Sequence, residues 1–81
     1  MIEKGTVVIS LRGHDKGSWL MALYEEGGRI YVADGRLRPL GRPKAKNPRH
    51  LSVTKKVLRP EEYPTDRQLD RALRALQKTD Q

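Results

Sequence analysis

From Gly5 to Ala33 the chain alternates short apolar runs with breaks built on glycine. That rhythm favours short strands joined by tight turns. Gly5-Thr-Val-Val-Ile-Ser-Leu11 is β-branched and apolar, and a period of two puts Val7, Ile9 and Leu11 on one face. Arg12 to Gly17 is a turn, broken by Gly13 and Gly17. Ser18 to Tyr24 is apolar on both faces, with Trp19, Met21 and Leu23 on one and Leu20, Ala22 and Tyr24 on the other. This suits a strand of a small closed sheet, although the pattern alone leaves a short helix open. Glu26-Gly27-Gly28 is a hairpin turn, and Arg29 to Ala33 is a third strand with Ile30 and Val32 inward and Tyr31 outward. Asp34-Gly35 is a second turn signal.

The pattern changes at Arg36. From there to Arg59 the chain carries nine Lys or Arg and no Asp or Glu, while the residues on either side each sum to −1. The whole formal charge of +7 therefore resides in this segment. A basic excess so concentrated is an electrostatic footprint for a polyanion. Pro39, Pro43 and Pro48 break any long strand, so Arg36 to Asn47 is a loop with at most an edge strand. His50 to Val53 alternates again as a fourth strand, and Val57-Leu58 is a short fifth. Several short strands at close spacing imply a small barrel, a mainly β fold.

Pro60 to Pro64 is a linker to a C-terminal helix over residues 65–78. Thr65 and Gln68 have capping-box spacing, and Leu69, Ala72, Leu73 and Leu76 form one apolar stripe. Asp70 precedes Arg74 by one turn, the favoured order for a surface pair. Arg67, Arg71, Arg74 and Lys78 form a basic row, read as a solvated face with auxiliary phosphate contact as the alternative. At 81 residues one domain is expected, with residues 1–59 as its β unit. No Cys is present and no apolar run approaches a membrane span. A cytoplasmic, soluble protein that does not bind membranes is the expectation.

The residues Gly5-x-Val7-Val8-Ile9-Ser10, followed by Gly13-x-Asp15-Lys16-Gly17 and an apolar strand, resemble the KOW motif. Gly17 sits where that motif has its central glycine, at a loop whose backbone must turn sharply and lie close to RNA. Tyr31 to Gly35, the basic loop, Asn47-Pro48-Arg49-His50-Leu51, Thr54 to Val57 and the capped helix extend the likeness. Together they resemble the family of archaeal–eukaryotic large-subunit ribosomal protein fourteen and, more closely, its small bacterial KOW-domain relatives. The resemblance implies an SH3-like barrel of about five strands with a C-terminal α-helix packed on it, and binding to structured RNA, most naturally ribosomal RNA or the large subunit.

Chemistry that would make an enzyme is not apparent in the sequence. His14 and His50 are the only histidines, with no Cys to complete a metal site. His14 and Asp15 adjoin, but neighbours in an extended segment point apart. Glu25-Glu26 and Glu61-Glu62 read as solvated charges, and no phosphate-loop pattern occurs. A non-enzymatic protein with no cofactor, metal or small-molecule substrate is expected. Its candidate RNA contacts are Arg12, Lys16, Gly17, Arg36, Arg38, Arg42, Lys44, Lys46 and Arg49. Trp19 reads as core, and Tyr31 as either a base-stacking or a helix-packing residue. Phosphate contact should therefore outweigh base readout. DNA or a transcription complex is the alternative partner, and a peptide bound to the SH3-like fold is the third.

Overall fold

The structure, a computed structural model, describes residues 2–79. Its strands are β1 (Thr6–Ser10), β2 (Trp19–Glu26), β3 (Arg29–Ala33), β4 (Lys44–Lys46) and β5 (Leu51–Val57). Short 3-10 turns occupy Pro48–His50 and Pro60–Glu62, and helix α1 spans Asp66–Thr79. The strands form one antiparallel sheet in the order β4-β3-β2-β1-β5. The expected five strands and C-terminal helix are present. No ladder joins β4 to β5, so hydrogen bonding leaves the sheet open and does not close it into a barrel.

Both faces of the central strands are buried, as the two-sided apolar pattern of β2 requires. On one face, Val8, Leu20, Ala22, Ile30, Val32 and Leu51 form a single cluster. Residues of β5 and β3, which are not neighbours in the sheet, belong to this one cluster. On the other face Val7, Met21 and Ala33 receive Leu69 and Leu73 of α1, with Trp19, Leu23 and Leu76 at the margin. Full burial of each helix leucine contributes about 1.5–3 kcal/mol. The helix begins as its sequence implies: Thr65 Oγ1 accepts the Gln68 amide at 3.2 Å, and Gln68 Oε1 accepts the Thr65 amide at 3.3 Å. Arg74 Nε meets Asp70 at 3.0 Å.

Three expectations are corrected. Leu11 lies beyond β1 and is 45% exposed, so it does not extend the Val7 face, and Val8 on the opposite face is as fully buried as Val7. The fourth strand in sequence is Lys44–Lys46, an edge strand within the basic segment. Accordingly, His50–Val53 and Val57-Leu58 are not separate strands, since one strand runs from Leu51 to Val57. Its alternation is interrupted because the register slips, Val53 pairing with Val8 but Val57 with Thr6. Thr54 holds the bulge, donating from Oγ1 to the Val7 carbonyl at 2.7 Å and accepting the Lys56 amide at 3.1 Å.

Candidate nucleic-acid interface

In the Arg36 to Arg49 stretch only Lys44–Lys46 joins a ladder, so most of it is held by other means. Carboxylates contributed by three other parts of the fold hold it. Asp34 Oδ1 accepts the amides of Arg36 and Arg38, both at 2.8 Å. The Arg38 carbonyl accepts the Asp34 and Gly35 amides in return. Asp66, in the first turn of α1, accepts the Leu40 amide at 2.6 Å. Gly35 passes so close to the Asp66 carbonyl, at φ +77°, that a Cβ would collide with helix backbone. The loop is therefore seated on the helix start.

The third carboxylate is Asp15, only 4% exposed. Its Oδ1 accepts the Ser10 hydroxyl at 2.8 Å and Lys46 Nζ at 3.0 Å. Lys46 Nζ also reaches the Arg12 carbonyl at 3.1 Å. Arg38 Nε lies 3.9 Å from Asp15 Oδ2, and these two buried atoms have no hydrogen-bond partner among the described residues. Burial alone would raise the Asp15 carboxyl's pKa. Hydrogen bonds from Lys46 and Ser10, with the Lys46 charge, outweigh it and hold the group below the usual carboxylate range. His14 beside it is exposed, so the two adjoining side chains do part.

This knot joins the β1–β2 loop to the basic segment. Arg12 and Lys16 are exposed on the first side, with Arg36, Arg42, Lys44 and Arg49 exposed on the second. Arg49 is drawn in by the bond from the Leu11 amide to the His50 carbonyl, and its own amide is held by Asn47 Oδ1. Gly17 is exposed at φ +88° with open space where a Cβ would stand. A ligand backbone can approach closely there. Arg38, Arg42 and Lys44 line a small cleft with Pro39 and Pro43.

Two sequence-based expectations change. Lys46 is 8% exposed and committed to Asp15, so it is a structural cation rather than a phosphate contact. Nor does the basic segment stay together. Lys55 and Arg59 follow the far half of β5 from Arg49, where Leu58 pairs with Gly5 and Arg59 approaches Glu62 at 3.8 Å. The Tyr31 ring stacks on Tyr24 across the β2–β3 pair, centroids 4.6 Å apart. The residues missed by sequence reasoning are the carboxylates. The Asp34-Gly35 turn signal pointed to one of them, and nothing local pointed to Asp15 as the partner of Lys46.

Among the described residues, no three His, Asp or Glu side chains gather into a metal-sized group. No helix among them is long and apolar enough to cross a membrane. No protein-family model matches the chain, and no curated protein matches it either.

Proposed function

We propose that this chain is a non-enzymatic binder of structured RNA that grips phosphates with a rigid basic platform, and that its target is ribosomal RNA or the large ribosomal subunit. One observation carries the reading: the Asp15 knot joins two distant basic stretches and leaves six of their cations exposed. Arg and Lys presented on a fixed backbone suit phosphate contact, and their pre-ordering reduces the entropy lost on binding. The ribosomal target rests on the resemblance of the Gly13–Gly17 loop, the Asn47–Leu51 element and the capped helix to KOW-domain ribosomal proteins.

The test is a titration of a structured RNA, with a matched DNA duplex as competitor, from low to moderate salt. If about five cations meet phosphates, the log–log slope is roughly −3 to −5. A slope near −1 refutes the phosphate mechanism, and preference for the DNA redirects the reading to a DNA partner. Sedimentation of the tagged protein in native lysate then tests the ribosome: RNase-sensitive co-migration with the large subunit is expected. Migration at the top of the gradient even at low salt removes the ribosome from the proposal.

A further inference from the structure

A groove of about 480 Å³ runs between the β1–β2 loop, the Asp34–Arg36 turn and the Asp70 to Gln77 side of α1. Its volume falls in the range of small-ligand sites. Lys16, Arg36 and Arg74 line it from three separate elements, and half-buried Trp19 forms part of its wall. Two carboxylates also line it, Asp34 and Asp70, and both are already engaged. Asp34 accepts two backbone amides, and Asp70 accepts Arg74 Nε. Because Arg74 uses Nε for that bond, the two amino groups of its guanidinium are the part suited to a phosphate.

We infer that this groove takes one unpaired nucleotide of the bound RNA, with its phosphate among Lys16, Arg36 and Arg74 and its base against Trp19. The inference rests on the RNA-binding reading and assigns a site that shares Lys16 and Arg36 with the platform and adds Arg74 and Trp19. A paired nucleotide keeps its base inside the helix and cannot enter a concavity between a loop and a helix, whereas an extruded one can. An indole wall offers a stacking surface that tolerates any base. The basic row on α1 thereby gains a use for Arg74, which the platform leaves aside.

Trp19 is the only tryptophan in the chain, so its fluorescence reports on the groove wall and on the core margin it packs against, with no other indole contributing. Three probes are compared: a fully paired RNA duplex, the same duplex with one extruded uridine, and uridine monophosphate. The extruded form is expected to quench Trp19 and to bind about tenfold tighter than the paired form, the scale of one added charged hydrogen bond. Arg74→Ala, with an unchanged circular dichroism spectrum, is expected to erase that advantage while paired-duplex affinity stays within about twofold. That change removes one exposed surface ion pair, so the fold should survive. Equal binding of both duplexes with no change in Trp19 overturns the groove and leaves the platform standing. Quenching by uridine monophosphate with no duplex bound supports the groove as a nucleotide site and overturns the RNA reading. Silence toward all three probes overturns both.

Discussion

Replacing Asp15 with Asn removes the charge at the centre of the knot while keeping its shape. Lys46 would then be a buried ammonium facing an amide, and Arg38 Nε would lose the carboxylate 3.9 Å away. Removing one partner of a buried pair costs about 3–5 kcal/mol, because the other charge is left uncompensated. A chain of this length has roughly 4–12 kcal/mol in total. We therefore expect Asp15→Asn to lose about 3 kcal/mol in urea unfolding at neutral pH, and to lower Tm by roughly 12–24 °C. Lys46→Met alone should cost a similar amount, since it strands Asp15. The double variant should recover at least about 2 kcal/mol relative to the sum, because apolar replacement of a whole buried pair is often close to neutral. Acid offers an independent reading. The folded carboxyl's pKa is depressed, so its contribution is fully present above the unfolded value of about 3.9 and is lost as pH falls below it. Wild type should lose stability in that window more steeply than Asp15→Asn. Additive single and double variants, or identical acid profiles, would refute the knot as an energetic unit.

The split of the basic segment is open to direct test. Arg42→Glu with Arg49→Glu should flatten the salt slope of RNA binding by about two and weaken affinity strongly at low salt. Lys55→Glu with Arg59→Glu, also two charges, should do much less, and equal effects from the two pairs would show that position does not matter. Gly35→Ala should cost at least about 1–3 kcal/mol in chemical unfolding, since its φ is positive and a Cβ meets the Asp66 carbonyl. An unchanged midpoint would mean that the loop is not seated on the helix.

The readable parts of this chain are those whose signals lie within a few residues. The capping box, the Leu69–Leu73–Leu76 stripe and the two-sided β2 each satisfy a local geometric rule, and each is found in place. The last two strands depart from the local pattern because their determinants are distant. β4 is short and flanked by prolines, so it forms only because Val32 and Ile30 offer it a ladder. The bulge at Thr54 scrambles the alternation of β5, and the Val7 carbonyl that holds it is far away in sequence. Charge misled in the same way. Lys44 and Lys46 look identical in the sequence, yet one is exposed and the other is neutralised by a carboxylate from a different loop. A local count of cations gives the location of a footprint but not which members are consumed in holding it.

The sheet order has a consequence for how the chain assembles. β1 to β4 form a meander in which every strand pairs with its predecessor, so each step closes only a short loop. β5 departs from this, returning across the length of the chain to pair Val57 with Thr6. Hairpins close within microseconds, but a long closure must lose more chain entropy before any contact compensates it. The meander is thus the early structure, and the docking of β5, followed by the helix that leans on the same sheet, is the late one. Read in reverse, β5 is expected to part from β1 before the central β1–β2 pairing opens. Its ladder amides should exchange with solvent deuterium sooner than those at the β1–β2 pairing, giving an edge that breathes beside a centre that stays shut.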